Sequence, residues 1–170
     1  MCGVSGFLLS SQFSNAALQS LQSKIAAIKH RGPDDSGTWF DEKQGIALGH
    51  TRLAIVDLSP AGHQPMASAC DRYVIAFNGE IYNHLELRAQ LESQGSAPAW
   101  RGHSDTETLL ACFSAWGIEA TLKATVGMFA LALWDKQEKV LTLARDRFGE
   151  KPLYWGWNNG TLLFGSELKA

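Results

Sequence analysis

The sequence predicts a single α+β domain, and three observations support that prediction. Patterns typical of strands occur at both ends of the chain, with helical patterns between them. A length of 170 residues suffices for one domain with a buried core. The hydrophobic content of 45% is ordinary for a globular protein and excludes disorder.

The first half of the chain is predicted to contain strands and one helix. Apolar residues from Val4 onward form the opening strand. Helical spacing over residues 18–28 predicts a helix that ends at His30, with Ser14 or Asn15 as its cap. Turn residues then separate four predicted strands, namely Thr38–Asp41, Ile46–His50, Arg52–Val56 and Tyr73–Phe77.

The second half is predicted to contain two helices followed by strands. The first helix covers residues 85–91 and stops at Gly95, the usual place for a left-handed residue. Ser104 and Glu107 have the spacing of a capping box and open the second helix, which stops at Gly117. The strands that follow are Met128–Trp134, Val140–Ala144, Pro152–Gly156 and Thr161–Phe164.

Charge and length exclude several classes of function. The net charge is −2 and the Lys and Arg residues are scattered, so the sequence offers no basic patch for nucleic acid or a membrane surface. Residues 2–9 are too few to span a membrane and lack the flanks of a signal peptide. We therefore expect a cytoplasmic protein with no nucleic-acid or membrane partner.

Metal and nucleotide sites are not predicted. The three cysteines, Cys2, Cys70 and Cys112, have neither the even number of a disulfide framework nor the CxxC spacing of a zinc site. The five histidines lack HxxxH and HExxH spacing, and no phosphate-binding GxxxxGK[ST] loop occurs. We expect reduced thiols and no bound metal.

Cys2 is the first candidate for catalysis. Removal of Met1 would leave a thiol and a free α-amine on the same residue. An amine with a pKa near ~7.7–8.0 could accept the proton of a thiol whose pKa lies near ~8.5. Its position alone favours an ordinary small apolar residue that opens a strand, so the catalytic interpretation depends on the rest of the chain.

Asn78-Gly79 is the second candidate. This dipeptide commonly forms hairpin tips, but here it ends an apolar strand and is followed by a helix instead of a return strand. An Asn amide beside a Gly backbone N–H would supply the two donors that a tetrahedral oxyanion requires.

Three charged residues could bind the two ends of an amino-acid substrate. Arg52 has the planar fork that holds a carboxylate through two hydrogen bonds, although a surface salt bridge is an alternative. Glu80 and Asp105 could bind an ammonium group, although Asp105 is also well placed to interact with a helix dipole. None of the three is specific by itself.

Seven motifs occur in order along essentially the whole chain. They are Met1-Cys2-Gly3-Val4-Ser5-Gly6, His30-Arg31-Gly32-Pro33-Asp34, His50-Thr51-Arg52-Leu53-Ala54-Ile55-Val56-Asp57, Gly62-His63-Gln64-Pro65-Met66, Phe77-Asn78-Gly79-Glu80-Ile81-Tyr82-Asn83, Ser104-Asp105-Thr106-Glu107 and Ala144-Arg145-Asp146-Arg147-Phe148-Gly149. Together they resemble the class II, N-terminal-nucleophile glutamine amidotransferases. Residues 50–66 are most similar to the amino-terminal part of glutamine-hydrolysing asparagine synthetases.

The resemblance implies a four-layer αββα sandwich of the N-terminal-nucleophile hydrolase type over residues 2–170. Cys2 would attack the side-chain amide of glutamine with its own α-amine as general base, ammonia would leave, and water would hydrolyse the thioester. The implied roles are oxyanion donors for Asn78 and Gly79, clamp on the α-carboxylate for Arg52, and acceptors for the α-ammonium for Glu80 and Asp105.

Glutamine-hydrolysing asparagine synthetases continue into a synthetase domain whose SGGxDS loop helps to form aspartyl-adenylate. This sequence contains no such loop and stops at Ala170, where relatives carry further strands. The resemblance therefore implies a glutaminase domain that lacks its last strands, with glutamine as substrate and a synthetase domain as partner in cis or in trans. Glutamine hydrolysis is expected to need no cofactor, whereas ATP and Mg²⁺ belong to the synthetase domain.

Two alternatives remain open. The pocket could sense glutamine or dock a partner without turnover, although the joint presence of the candidate residues argues against such a module. The domain could also serve a different amidotransferase or hydrolyse another amide. Glutamate release by protein that begins at Cys2 would separate these possibilities.

Overall fold

The computed structural model describes residues 1–10, 15–55 and 57–170, and within these ranges it contains nine strands and four α-helices. The strands are β1 (Gly3–Leu8), β2 (Asp35–Asp41), β3 (Ile46–Arg52), β4 (Met66–Ala67), β5 (Tyr73–Ile81), β6 (Gly127–Asp135), β7 (Val140–Arg145), β8 (Tyr154–Asn158) and β9 (Thr161–Gly165). The helices are α1 (Asn15–Ala27), α2 (His84–Ser93), α3 (Asp105–Trp116) and α4 (Ile118–Ala124).

The strands form two antiparallel sheets. One sheet has the order β2-β3-β1-β9-β8, and the other has the order β4-β5-β6-β7. Helix α1 packs on β1 and β3, while α3 packs on β5 and also contacts α2 and α4. Since β1 and β3 contact β5 across the middle, the layers are helix, sheet, sheet and helix. The predicted α+β, four-layer αββα sandwich is confirmed.

Apolar clusters fill the spaces between these layers. The cluster between the sheets includes Val4, Leu48 and Trp134. A smaller cluster beneath α1 joins Phe7, Leu21 and Ala47. The largest lies between the four-stranded sheet and the helices and includes Ile75, Phe77, Leu109 and Phe113. Each sheet therefore buries both faces, which explains why its central strands are apolar with little alternation.

The predicted helix ends agree with the structure at three glycine or serine positions. Ser104 Oγ accepts a hydrogen bond from the N–H of Glu107 at 3.2 Å, as in a capping box. The Glu107 carboxylate does not complete the box, because it accepts from the backbone N–H groups of residues 101 and 102. Gly95 and Gly117 have φ of 66° and 80°, the left-handed conformation that favours glycine at helix ends.

Several element boundaries were predicted incorrectly. The strand predicted over Arg52–Val56 is wrong, because Arg52 ends β3 and residues 53–55 are irregular; residue 56 lies outside the described ranges, as does Ser14. Helix α1 ends at Ala27, and a short 3₁₀ turn, Lys29–Arg31, follows it. The short helix α4 was not predicted, since it starts directly after the glycine that ends α3.

The largest error concerns β5. The sequence predicted that this strand ends at Phe77, but it continues through Asn78 and Gly79 to Ile81 and pairs with β6 throughout. In the five-stranded sheet, β8 is an edge strand that leaves Trp155 exposed. The further strands expected beyond Ala170 stay a prediction. In the described ranges, no helix has the length and apolar character needed to cross a membrane.

Candidate active site

The six predicted site residues line one pocket between the two sheets. They are Cys2, Arg52, Asn78, Gly79, Glu80 and Asp105. The pocket has an empty volume of about 670 Å³, part of which is open to solvent. These residues come from β3, β5, α3 and the position directly before β1, so only the fold brings them together.

Cys2 lies directly before β1, and the backbone of Leu53 holds its thiol. The Leu53 N–H donates to the sulfur at 3.4 Å, and the thiol donates to the Leu53 carbonyl oxygen at 3.7 Å. Burial raises the pKa of the Cys2 thiol, and the hydrogen bond with Leu53 and the nearby N-terminus only partly oppose it. The thiol is therefore mainly protonated at neutral pH and needs a base to become a nucleophile.

Met1 precedes Cys2 and occupies part of the same pocket. Its sulfur accepts a hydrogen bond from the Lys151 ammonium group at 3.4 Å. While Met1 is attached, the nitrogen of Cys2 is an amide nitrogen that cannot accept a proton. Removal of Met1 would therefore free both a base and the space beside the thiol.

Asn78 directs an unpaired donor into this space. Val74 and Ala76 of β5 belong to the cluster between the sheets, so strand alternation places the Asn78 side chain on that same face. Asn78 is 1% exposed, and among the residues described its amide nitrogen has no hydrogen-bond partner. Because an unsatisfied buried donor costs about 1–3 kcal/mol, a ligand atom that accepts from it would be stabilised.

The Gly79 N–H points away from β6. Its partner Phe129 donates its N–H to the Asp146 carboxylate and accepts from the Asp146 N–H, so Phe129 directs its backbone groups away from β5. On the other side of β5, β4 pairs only with Val74 and Ile75. The Gly79 N–H therefore lies at an open strand edge that borders the pocket.

Side chains cap the other outward N–H groups along this edge. The Phe77 N–H donates to Gln64 Oε1 at 2.7 Å, and the Ile81 N–H donates to Asp105 Oδ2 at 2.9 Å. Gly79 lies between these two positions, and in an antiparallel strand its N–H points the same way as theirs. The Gly79 N–H therefore faces the pocket, between the capped N–H groups of Phe77 and Ile81.

The local structure predicted for Asn78-Gly79 is therefore wrong, and the role of the two residues as oxyanion donors stays a prediction. The two donors do not come from a strand end but from the middle of β5. Glycine is needed there because a Cβ at Gly79 would collide with the backbone carbonyl of Met128 in the paired strand. The dipeptide is a site for close backbone approach and not a turn.

Arg52, the last residue of β3, is held by the loop that follows it. Its guanidinium donates to the carbonyl oxygen of Ser59 at 3.0 Å and to that of Asp57. A Cβ at Gly62 would collide with the guanidinium, so glycine allows this packing. Among the described residues, these contacts use two of the five guanidinium N–H groups and leave three for a carboxylate. Within the described residues, Arg52 forms no ion pair, so the salt-bridge alternative is not supported.

Asp105 and Glu80 supply the negative charge of the pocket near the donors. Asp105 is the first residue of α3, and its second oxygen accepts from the Thr106 N–H at 2.8 Å. Burial raises the pKa of Asp105, although its hydrogen bonds to the N–H groups of Ile81 and Thr106 oppose that effect. Glu80 is half-buried in β5 and lines the same pocket. No group of three or more His, Cys, Asp and Glu side chains in the described residues could hold a metal ion.

Sequence reasoning missed the residues that support the site. Gln64 caps Phe77 and also donates to Thr106 Oγ1 at 3.3 Å. His50 Nε2 donates to the Phe77 carbonyl oxygen at 2.9 Å and so links the two sheets beside Asn78. Both residues lie within the seven motifs, and that was the available signal. A sequence motif does not reveal with which backbone group each of its side chains will form a hydrogen bond.

Comparisons with known proteins show the family and the fold of the chain. Residues 1–170 match the profile of the glutamine amidotransferase domain family. Over its whole length the chain is 36% identical to a putative glutamine-hydrolysing asparagine synthetase 2 of Methanocaldococcus jannaschii and 41% identical to asparagine synthetase 1 of Bacillus subtilis. It is also 34% identical to amidase chry2 of Gibberella zeae. The chain covers 35%, 26% and 26% of these proteins, so it spans about a quarter to a third of their length.

Among solved structures, the chain is similar to glutamine phosphoribosylpyrophosphate amidotransferase of B. subtilis, solved with ADP and GMP. The TM-score is 0.77 at 23% identity, and the match covers 98% of this chain and 42% of the other. At this level of identity, the likeness shows a shared fold.

Proposed function

The chain belongs to the glutamine amidotransferase domain family, and we propose that it hydrolyses the side-chain amide of glutamine to glutamate and ammonia through Cys2. The observation that carries the proposal is the pocket in which the thiol of Cys2 shares a space with the Asn78 amide nitrogen, unpaired among the described residues, and the outward Gly79 N–H. A nucleophile opposite two unused donors is the arrangement that acyl transfer requires.

In the first half-reaction, the free α-amine of Cys2 takes the thiol proton and the sulfur attacks the carboxamide carbon of glutamine. The carbonyl oxygen becomes an oxyanion that accepts hydrogen bonds from Asn78 and Gly79. The α-ammonium of Cys2 then gives the proton to the departing nitrogen of glutamine. The carbon–nitrogen bond breaks, ammonia leaves, and a thioester remains on Cys2.

In the second half-reaction, the same amine takes a proton from water, which attacks the thioester. The carbon–sulfur bond breaks, glutamate leaves, and the thiol is restored. Through both steps, Arg52 holds the α-carboxylate, while Glu80 and Asp105 accept hydrogen bonds from the α-ammonium of the substrate. The net reaction converts glutamine and water to glutamate and ammonia, and it needs no cofactor.

We also propose that the ammonia serves the ATP-dependent amidation of aspartate by a synthetase domain, in cis or in trans, in the cytoplasm. In this proposal ATP and Mg²⁺ act only in that second domain. The support is that relatives similar over the whole chain are named asparagine synthetases and are much longer than the chain. The similarity to amidase chry2 favours a second candidate, hydrolysis of a different amide.

Two preparations of the protein test the main proposal. One is processed so that mass spectrometry shows Cys2 as the first residue, and the other keeps an N-terminal extension. We expect the processed protein to release glutamate from glutamine about 10²–10⁴-fold faster, because only it has the amine that transfers protons. Processed Cys2→Ala is the control and should be inactive.

Circular dichroism should show that both preparations fold, since β1 begins after Cys2. Equal rates for the two folded preparations would contradict the proposed nucleophile and favour a glutamine-sensing or docking module. Faster hydrolysis of another primary amide than of glutamine would favour the second candidate.

A further inference from the structure

The backbone of Cys2 is held by a side chain outside the pocket. Pairing of β1 with β3 begins at Gly3 and Thr51, so the Cys2 carbonyl lies beyond the ladder. Arg31 Nε donates to this carbonyl oxygen at 3.0 Å. Once Met1 is removed, Cys2 becomes the terminal residue, and terminal residues are poorly ordered unless they are tied down. Arg31 supplies that tie at the backbone.

Arg31 is in turn held by Glu167. Arg31 Nη1 donates to Glu167 Oε1 at 3.0 Å, and the Arg31 side chain is only 9% exposed. A cation this buried needs an opposite charge close by, because removing one partner of a buried pair is costly. The hydrogen bond from Arg31, together with those from His30 and Lys169, lowers the pKa of Glu167 to about 2, so the carboxylate stays charged at neutral pH.

The position of Glu167 is itself fixed relative to β1. The Ser166 N–H donates to the Val4 carbonyl oxygen at 2.8 Å, and Ser166 Oγ accepts from the Val4 N–H at 2.9 Å. The segment after β9 is therefore attached to the first strand two residues beyond the nucleophile. Glu167, Arg31 and Cys2 form a continuous chain of contacts that starts from this anchored segment.

We propose that Glu167 is a positioning residue for the nucleophile, which acts through Arg31 on the backbone of Cys2. It sets where the amine and thiol of processed Cys2 lie relative to Asn78 and Gly79. This inference rests on the proposed function, since it concerns the geometry of that reaction. A displacement of about 1 Å at reacting atoms can cost on the order of 10²-fold in rate.

Glu167→Gln tests the inference, with Lys169→Ala as the matched control. The amide keeps the size of the side chain but loses the charge that holds Arg31. We expect kcat for glutamine hydrolysis to fall about tenfold, with KM changed by less than about twofold, because substrate contacts are untouched. Lys169 pairs with the other oxygen of Glu167 at 3.2 Å, and within the described residues it forms no hydrogen bond or ion pair with Arg31 or Cys2. Its removal should change kcat by less than about twofold.

The path through Arg31 is tested by the combined variant. If Glu167 acts only through Arg31, Glu167→Gln should add almost no further loss of kcat in an Arg31→Ala background. Fully additive losses would contradict the inference. All variants are compared at a temperature at which circular dichroism shows each of them folded, so that a loss of stability alone does not change the result.

Alkylation of Cys2 by iodoacetamide gives a readout that does not require glutamine hydrolysis. We expect Cys2 of the Glu167→Gln variant to react at least about threefold faster, because a released residue leaves the Leu53 backbone and its thiol becomes more accessible. The Lys169→Ala variant should react at the rate of the parent protein. If the parent fails to hydrolyse glutamine while this difference persists, the proposed function fails and the positioning role stands. Unchanged kcat and unchanged alkylation in Glu167→Gln would overturn the inference.

Discussion

The two sheets contribute to the pocket in different ways. The five-stranded sheet supplies Cys2 and Arg52 from the ends of its strands, directly before β1 and at the end of β3. Each is then fixed by backbone groups of the loop that follows β3, Leu53 for the thiol and Ser59 for the guanidinium. Both groups therefore lie at places where the chain enters or leaves the ladder.

The four-stranded sheet instead supplies Asn78 and Gly79 from the interior of β5. This part of β5 is paired with β6 on one side and capped by Gln64 and Asp105 on the other. The proposed oxyanion donors therefore belong to the more rigid half of the pocket. Fixed donors suit the stabilisation of developing charge, which depends on preorganisation, whereas a loop-held arginine suits substrate capture.

Asn78→Ala should give the largest effect, because it removes a donor from the rigid half. We expect kcat for glutamate release to fall on the order of 10²–10³-fold with little change in KM. Steady-state kinetics on processed protein measures both. The matched control is Asn83→Ala, since Asn83 bonds the backbone of Ala124 and Val126 away from the pocket. A kcat within about tenfold of the parent value would place the oxyanion elsewhere.

Arg52→Lys tests the loop-held half. We expect KM for glutamine to rise about 10–100-fold with kcat nearly unchanged, because a point charge replaces a fork that binds the carboxylate in ground and transition states alike. Arg72→Lys is the control, since Arg72 makes a similar two-pronged contact with Asp135 outside the pocket. An unchanged KM in Arg52→Lys would remove Arg52 from the substrate site.

Gln64→Ala tests the cap on the rigid half. Loss of Oε1 leaves the buried Phe77 N–H without a partner, which should lower the free energy of unfolding by about 1–3 kcal/mol. Because Asn78 is the next residue, we also expect kcat to fall several-fold, roughly up to tenfold. Urea unfolding and steady-state kinetics measure the two effects. Gln137→Ala, at an exposed turn position, should change neither. An unchanged kcat together with lowered stability would mean that the Gln64 cap does not fix the position of the Asn78 donor.

His50 links the two halves and should make stability depend on pH. Burial lowers the pKa of His50 to about 4, from about 6.5 in the unfolded chain. The native state therefore binds fewer protons, so this contribution to stability is complete above pH ~6.5 and is lost as the pH falls toward 4. His50→Gln cannot titrate but can still donate to the Phe77 carbonyl. Urea midpoints should fall less steeply for the variant across this range, and parallel curves would contradict the assignment.

The sequence by itself determined much of this protein. Local patterns predicted most strands, the cap at Ser104 and the stops at Gly95 and Gly117, because periodicity and cap chemistry are local properties. The motifs also identified the residues of the candidate site, with Cys2 next to a removable Met1. Such signals need no knowledge of which elements become neighbours.

Only the tertiary structure decided how those residues present their donors. Asn78-Gly79 looked like a strand end, because the dipeptide favours turns when nothing else constrains it. In the fold, β5 continues because β6 pairs with it, while β4 stops early and leaves one edge open. Residues far away in sequence decide whether a backbone N–H pairs with a neighbouring strand, is capped by a side chain or is left for a ligand. That is why the roles of Gln64 and His50 could not be predicted from sequence.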